Sequence, residues 1–368
     1  MSEPFEIFLV ATPGLETPLA EEARQNGFKV TSQIAGGVLI NGDWQTVYRA
    51  NLVLRGATRI LARIGAFRVM HLAQLDKRAR KFPWADILRT DLPLRVETTC
   101  RKSRIYHDRA ATQRIETALK DELGITIDAK AKLVVKVRIE DDLCTISLDT
   151  SGDSLHKRGH KEALNKAPMR ETMAAMFLRQ CGYTGDEPVY DPMCGSGTFV
   201  IEAAEIAAGL MPGRTRDFAF FNLSNFDPEA WSQLRQPTQQ TEHALNFYGS
   251  DRDAGAITIS QANAARAGVS EQTAFSHASV SDIKAPDGSK GLVIVNPPYG
   301  GRIGNKQMLF GLYGALGATL KDRFKGWRVG VITSDGSLAK ATGLPFKPTG
   351  AWVDHGGTKI KLWRTDAL

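Results

Sequence analysis

The second half of the chain alternates short apolar segments with longer helical segments, and this alternation restricts its fold more than any other feature. The apolar segments are VYDPM, NFYGSD, TAFSHAS, GLVIVNPP and WRVGVITS. The helical segments among them are TFVIEAAEIAAGL, AGAITISQANAARAG and QMLFGLYGALGATLKDRF. Buried strands that alternate with helices predict a mostly parallel, Rossmann-like α/β sheet with helices on both faces. Ligands of such sheets bind at the carboxyl ends of the strands.

The first half of the chain has a different pattern. Between residues 6 and 67 the order is strand, helix, strand, strand, helix, strand, which is typical of a ferredoxin-like α+β unit. Residues 71–150 repeat a similar mixture and end in a predicted hairpin. A polar stretch that contains Gly and Pro follows, so we predict three domains, at residues 1–65, 66–155 and 156–368. Residues 212–243 interrupt the last domain as a long insertion with several aromatic residues.

Positive charge is concentrated between Arg49 and Arg114. This window holds sixteen Lys or Arg against five Asp or Glu, whereas the whole chain has a net charge of +7, so the remainder is net acidic. Such a block is typical of a surface that binds nucleic acid, and the alternative is a solvated face that keeps the protein soluble. The expected RNA contacts are Arg101, Lys102 and Arg104 beside Tyr106, and Lys157 and Arg158 in the polar stretch.

Other features of the sequence exclude several classes of protein. No segment approaches eighteen consecutive apolar residues, so we predict no membrane span. The first residues, MSEPFEIFLVATPG, do not resemble a signal peptide, and we expect a cytoplasmic location. The four cysteines are scattered without a CxxC pair, so we expect reduced thiols and no metal site. We interpret His156 and His160 as surface residues and not as ligands.

A turn almost free of side chains, DPMCGSG, joins a predicted strand to a helix. Gly195 and Gly197 allow a ligand to approach the backbone closely, and a structural tight turn is the alternative. A triphosphate loop requires a Lys after the last glycine, and a dinucleotide fold requires a third glycine where Val200 stands. S-adenosylmethionine is the remaining candidate ligand. Asp251, at the end of the next strand, would then accept hydrogen bonds from the ribose hydroxyls.

A second motif, Asn296-Pro297-Pro298-Tyr299, follows a buried strand. Two prolines cannot continue a central strand, so the chain turns at the carboxyl edge of the sheet. An exocyclic amine of a base is a poor nucleophile because its lone pair is delocalised into the ring. The Asn296 side-chain oxygen and the Pro297 carbonyl would accept both N–H bonds and orient the lone pair at a sulfonium methyl. Tyr299 would stack on the base, which must be unpaired or flipped out.

The segments DPMCGSGTFVIEAA, GSD, VNPPYG and LHKRGHKEALNKAPMRETMAA resemble the bacterial THUMP-containing RNA guanine-N2 methyltransferases. The resemblance covers nearly the whole chain. Within this family, the chain is similar to a short form of the 23S rRNA enzymes that lacks a second methyltransferase domain. It implies a class I methyltransferase with a mostly parallel seven-stranded sheet, preceded by ferredoxin-like and THUMP RNA-binding domains. It also implies S-adenosylmethionine as cofactor, held by Asp191, Met193, Cys194, Gly195, Gly197, Thr198 and Asp251.

The sequence departs from this family after the third strand of the sheet. The family usually has an acid there that binds the adenine amine, whereas this chain has Ser279, with Asp282 three residues later. Either residue is a candidate for the adenine contact. The resemblance implies methylation of guanine N2 in 23S rRNA by a monomer or weak dimer. The alternatives are guanine N2 in tRNA, adenine N6, a protein glutamine amide, or a non-catalytic RNA-binding or ribosome-assembly protein.

Overall fold

The computed structural model describes residues 4–162, 169–236, 246–300, 306–348 and 350–368. Two compact units form the chain. The first unit contains Met1–Ala11, Ala20–Leu155 and Gly213–Gln236, and the second contains Thr12–Leu19, His156–Pro212 and Pro237–Leu368. None of the helices in the described ranges is both long enough and apolar enough to cross a membrane.

The described residues form fourteen strands and ten α-helices. The strands are β1 (Phe5–Val10), β2 (Val30–Ile34), β3 (Gly37–Gly42), β4 (Arg59–Arg68), β5 (Leu94–Arg101), β6 (Leu133–Glu140), β7 (Leu143–Asp149), β8 (Val189–Asp191), β9 (Phe247–Asp251), β10 (Thr273–His277), β11 (Leu292–Val295), β12 (Arg328–Thr333), β13 (Val353–His355) and β14 (Thr358–Arg364). The helices are α1 (Glu16–Gln25), α2 (Trp44–Val53), α3 (Leu72–Arg80), α4 (Asp108–Leu123), α5 (Glu171–Gln180), α6 (Thr198–Ala207), α7 (Pro228–Leu234), α8 (Ala254–Ala267), α9 (Lys306–Arg323) and α10 (Gly336–Ala341).

The first unit is built on one seven-stranded sheet with the order β2-β3-β1-β4-β7-β6-β5. The strands are antiparallel except for β5 and β6, which run parallel. β4, from the ferredoxin-like part, pairs with β7 along most of its length, so the sheet continues across the predicted boundary at residue 65. That boundary and the one at residue 155 stay predictions.

Local sequence signals explain where several elements of the first unit begin and end. The Asp43 side chain caps α2 by accepting a hydrogen bond from the Thr46 backbone N–H, and the Thr46 hydroxyl accepts one from the Asp43 backbone N–H. Gly124 ends α4 in the left-handed conformation, with φ of 68°. Asp141 and Asp142 both have positive φ in the tight turn between β6 and β7, as the predicted hairpin requires.

Much of the predicted insertion packs within the first unit. Residues 213–236 contribute α7 and a short 3₁₀ helix to that unit, and residues 237–243 lie outside the described part of the chain. Of the aromatic side chains in the insertion, Phe218, Phe220 and Trp231 are buried in the core. The Phe220 ring stacks on Tyr48 of α2 at a centroid distance of 4.6 Å, and the Tyr48 hydroxyl accepts a hydrogen bond from the Asp227 backbone.

The second unit contains the sheet that positions the segment DPMCGSG, residues 191–197, called the glycine turn below. Its strand order is β10-β9-β8-β11-β12-β14-β13. The first five strands of this order are parallel, and β14 is antiparallel to both of its neighbours. The predicted Rossmann-like fold with a mostly parallel seven-stranded sheet is therefore confirmed. Four elements were not predicted from the sequence: α5, α10, β13 and β14.

Candidate functional site

The glycine turn joins β8 to α6 at the carboxyl edge of the sheet. Gly195 has φ of 56°, and Gly197, which precedes the first residue of α6, has φ of 81°. A Cβ on Gly197 would lie 3.2 Å from both Ile201 Cδ1 and Ser260 Cβ, so a side chain there is strained and crowded. A Cβ on Gly195 would meet nothing within 4 Å, so the backbone there faces open space. This open backbone is the surface that a ligand can approach.

The neighbouring elements β9 and α8 hold the turn in place. The Cys194 backbone donates to the Ser250 carbonyl at 2.9 Å. The Ser260 hydroxyl donates to the Gly195 carbonyl, and the Asn263 amide donates to the Ser196 carbonyl, both at 3.0 Å. The Cys194 side chain is buried, and burial raises the pKa of its thiol well above the ordinary value. Cys194 therefore remains a thiol at neutral pH, which is consistent with a lining role and not with a nucleophile.

The structure brings Asp251, at the end of β9, into contact with the glycine turn. One carboxylate oxygen accepts the Gly195 backbone N–H at 3.0 Å, and the other accepts the Asp253 backbone N–H at 3.0 Å. Each carboxylate oxygen can accept a second hydrogen bond, and the side chain is partly exposed. Asp251 can therefore fix the turn and still accept hydrogen bonds from a diol.

Asp191 is the first residue of the turn and is only 2 % exposed. Burial raises the pKa of its carboxyl to about 8, and the negative charge of Asp251 adds to this increase. A hydrogen bond from the Met193 backbone N–H, at 3.1 Å, opposes the increase. A pKa of this size keeps the carboxyl protonated at neutral pH in the absence of a nearby cation. The Thr198 hydroxyl, in contrast, accepts a hydrogen bond from Lys161 Nζ at 2.8 Å, so its side chain is already occupied.

The Asn-Pro-Pro-Tyr segment, residues 296–299, is called the amine turn here. It follows β11, which pairs with β8 in the register Val293↔Tyr190. The two turns therefore lie side by side where the strand order changes direction between β8 and β11, which is where ligands of open α/β sheets bind. Asn296 Oδ1 is buried and has no hydrogen-bond partner among the described atoms. An unsatisfied buried oxygen costs about 1–3 kcal/mol, and a donor on a bound ligand would remove this cost.

Tyr299 of the amine turn is 2 % exposed, and its hydroxyl lies 3.1 Å from His355 Nδ1. The Pro298 carbonyl accepts a hydrogen bond from Tyr313 at 3.4 Å. His355 was missed by the sequence analysis, since it lies in the unpredicted strand β13. Stacking of Tyr299 on a base stays a prediction, and residues 301–304 of the motif lie outside the described part of the chain.

Ser279 and Asp282 were alternative candidates for an adenine contact. The Ser279 hydroxyl donates to Asp282 Oδ2 at 2.6 Å, and the Asp282 backbone N–H donates to the Ser279 carbonyl at 2.9 Å. The two residues therefore form one local pair after β10. Their role toward adenine stays a prediction.

The predicted RNA-contacting residues differ in exposure. Arg101, the last residue of β5, and Lys102 and Arg104, in the loop that follows, are all exposed beside the exposed ring of Tyr106, and Lys157 is also exposed. These exposed residues form a basic surface with an aromatic ring, and their contact with RNA stays a prediction. Several other members of the basic block are exposed as well, among them Lys77, Arg78 and Arg109, whereas some are engaged within the protein. Arg80, for example, forms ion pairs with carboxylates of α3 and α4.

The assignment of Arg158 to RNA is wrong in this structure. Arg158 is 2 % exposed, and its guanidinium forms an ion pair with the buried Glu202 of α6 at 3.2 Å. His160, interpreted as a surface residue, is also buried, with Nδ1 3.9 Å from Glu205. The reason is that α6 carries buried carboxylates that require cationic or polar partners. Within the described ranges, no group of three or more His, Cys, Asp or Glu is arranged to hold a metal ion.

Comparisons with known proteins agree with this geometry. The model of the RMKL-like methyltransferase domain matches residues 158–348, and that of the RlmL ferredoxin-like domain matches residues 6–61. The ribosomal RNA large subunit methyltransferase K/L of Syntrophotalea carbinolica is 35 % identical over 94 % of this chain and 51 % of its own length. The chain thus spans about half the length of such relatives.

Two further proteins are similar along nearly their whole length. A candidate RNA methyltransferase of Synechocystis sp. is 30 % identical over 92 % of this chain and 90 % of its own. The crystal structure of SMU.472, a candidate methyltransferase in complex with SAH, is 26 % identical with a TM-score of 0.88. That similarity covers 100 % of this chain and 99 % of the other.

Proposed function

Because this chain belongs to the family of RMKL-like methyltransferase domains, we propose that it methylates the exocyclic N2 amine of a guanine in large-subunit ribosomal RNA. Its cofactor is S-adenosylmethionine. When bound, this cofactor supplies an electrophilic methyl group on a sulfonium sulfur. The residues of the chain bind the cofactor, position the amine and exclude water from the reacting atoms.

The buried, unsatisfied oxygen of Asn296 carries this proposal. An exocyclic amine has two N–H donors, and we assign one to Asn296 Oδ1 and the other to the Pro297 carbonyl. Both hydrogen bonds draw electron density toward the nitrogen and orient its lone pair. Because the acceptor is already buried and fixed after β11, little reorganisation is needed when the base arrives.

The glycine turn offers the cofactor open backbone and hydrogen-bond acceptors. Open backbone at Gly195 admits the methionine moiety, and Asp251 has acceptor positions left for the ribose hydroxyls. Asp191 is the buried first residue of the same turn, and its carboxyl is protonated when no cation is present. The ammonium group of the methionine moiety is a cation that would favour the ionised form of this carboxyl.

The choice of RNA and of guanine depends on other observations. The exposed basic loop at Arg101, Lys102 and Arg104 supports a polyanionic substrate. Guanine N2 and ribosomal RNA are favoured by the motifs shared with the THUMP-containing guanine-N2 enzymes and by relatives named as large-subunit ribosomal RNA methyltransferases. The chemistry of the amine turn alone is equally suited to adenine N6.

The role of Asn296 is tested by two variants. Asn296→Ala removes the acceptor, so we expect unchanged cofactor affinity and a 10²–10³-fold loss of kcat, as for removal of one fixed hydrogen-bonding group at a transition state. Asn296→Asp retains an oxygen acceptor of the same size, so it should keep more activity than Asn296→Ala. Near wild-type turnover by Asn296→Ala would show that this oxygen does not position the amine.

The product is tested by incubation with unmodified ribosomal RNA or tRNA and labelled S-adenosylmethionine, followed by nucleoside digestion and mass analysis. We expect label in N2-methylguanosine from ribosomal RNA. Label in N6-methyladenosine, in tRNA alone or in protein would contradict the assignment. Ribosomal particles isolated from a deletion strain provide a substrate in which the target nucleotide is unmodified and correctly folded.

A further inference from the structure

Trp352 is an exposed aromatic side chain directly before β13, at the edge of the sheet in the second unit. It is 46 % exposed, and the Lys361 ammonium lies 5.0 Å from the centroid of its ring. A cation at this distance covers one face of the indole by a cation–π interaction. The opposite face is left to solvent or to a ligand.

The strand register shows which residues share the face of Trp352. Asp354 pairs with Lys359, and Val353 pairs with the buried Ile360. Side chains alternate along a strand, so Trp352, Lys359 and Lys361 project from the face opposite Val353. Asp354 shares this face, and its carboxylate accepts the backbone N–H of Gly357 in the turn. The hairpin therefore presents one large aromatic ring and two lysines to solvent.

The other face of the same hairpin contacts the amine turn. His355 projects from that face and its Nδ1 lies 3.1 Å from the Tyr299 hydroxyl. The backbone of the hairpin is held as well, since Gly14 packs against the Trp352 carbonyl so closely that a Cβ would lie 2.2 Å from that oxygen. The exposed ring is therefore fixed relative to the amine turn by contacts within the second unit.

The distance from the end of β11, directly before the amine turn, to Trp352 follows from the strand spacing. β11 and β12 pair at Val295↔Val331, and β12 meets β14 at Thr333↔Lys361, opposite Trp352. Three strand spacings of about 4.8 Å, or roughly 14 Å, separate the end of β11 from the strand position of Trp352. Stacked bases are only about 3.4 Å apart along a strand, so a nucleotide at Trp352 would flank the methylated base without being stacked on it.

We propose that Trp352, with Lys359 and Lys361, binds an unpaired RNA nucleotide that flanks the methylated base. This inference rests on the proposed function and adds a second RNA contact at the methyltransferase sheet. A base stacks on the uncovered face of the indole, and the lysines contact the adjacent phosphates. The charge and the aromatic ring together favour single-stranded RNA, because every base has a π-face and every linkage carries a negative charge.

The test uses a fluorescein-labelled, single-stranded 12-nucleotide RNA and the full chain saturated with SAH. Trp352→Ala should weaken binding about tenfold or more, as expected for loss of one stacked base, and Trp352→Phe should restore part of the affinity. Lys359→Gln with Lys361→Gln should flatten the slope of log affinity against log salt by about 0.7 for each phosphate that the lysines no longer neutralise. Lys325→Gln is the matched control, since this exposed lysine lies in the turn before β12, at the amino ends of the parallel strands.

Three outcomes distinguish this inference from the proposed function. Unchanged RNA affinity of Trp352→Ala, with SAH affinity and thermal stability intact, overturns the inference even if the wild type methylates RNA. An equal effect of Trp352→Ala on a fully paired RNA duplex overturns the stacking of an unpaired base. Binding of the single strand that depends on Trp352, without any methyl transfer to ribosomal RNA particles, supports the RNA contact at Trp352 and overturns the proposed function.

Discussion

Replacing Asp191 by Asn should stabilise the cofactor-free protein. It should also make the free energy of unfolding depend less on pH above pH 4, where the buried carboxyl destabilises the wild type. Burial raises the pKa of Asp191 from 3.8 to about 8. Below pH 4 the carboxyl is protonated in both the folded and the unfolded chain. Between pH 4 and pH 8 it keeps its proton only in the folded chain, so the free energy of unfolding falls by about 1.4 kcal/mol per pH unit. This amounts to about 4 kcal/mol between pH 5 and pH 8.

Asn is neutral in both states, and its side-chain oxygen can still accept the Met193 N–H. The variant should therefore be about 4 kcal/mol more stable than the wild type at pH 7. The assay is urea-induced unfolding at pH 5, 6, 7 and 8 without cofactor, followed by tryptophan fluorescence. Exposed Asp287 provides the control, since Asp287→Asn should change stability by less than about 0.5 kcal/mol. If Asp191→Asn had the wild-type pH dependence, the carboxyl would be ionised in the folded protein and the reasoning would be refuted.

Two further predictions concern the cofactor and the RNA. Asp251→Ala should weaken S-adenosylmethionine binding by about 1–3 kcal/mol, measured by calorimetry, because charge-assisted hydrogen bonds to the ribose are removed; unchanged affinity would remove Asp251 from the cofactor site. Replacing Arg101, Lys102 and Arg104 together by Gln should weaken RNA binding and flatten its log–log salt dependence by about 0.7–0.9 for each phosphate that is no longer neutralised, with cofactor affinity intact. An unchanged salt slope would show that these three residues form an ordinary solvated surface.

The parts of the site that the sequence predicted are those determined by backbone chemistry. Gly195 and Gly197 both adopt positive φ, and few other residues tolerate this conformation. Pro297 and Pro298 require the chain to leave the sheet after β11. Asp251 follows a short apolar strand, and the parallel pairing of β9 with β8 brings it to the glycine turn. The glycines and prolines act within a few residues, and the position of Asp251 follows from the regular strand–helix alternation, so one sequence is sufficient to reveal these parts.

The parts that the sequence did not predict depend on pairing between distant segments. The strand β13 has only three residues, so it has no periodicity to recognise, and His355 contacts Tyr299 across 56 positions of the chain. The polar stretch after residue 150 has the composition of a linker. Only the tertiary structure shows that α6 directs Glu202 and Glu205 into the protein interior.

The buried charges around α6 indicate how the glycine turn is held before a cofactor binds. Ion pairs of this kind contribute little net stability, because the cost of removing charges from water offsets their attraction. Their contribution here is positional. Lys161 Nζ donates to the hydroxyl of Thr198, the residue directly after Gly197, at 2.8 Å. The same ammonium group forms an ion pair with Glu171 of α5 at 3.2 Å. The turn is therefore fixed by Lys161 on one side and by Ser260 of α8 on the other, and a cofactor that enters meets a backbone already in position.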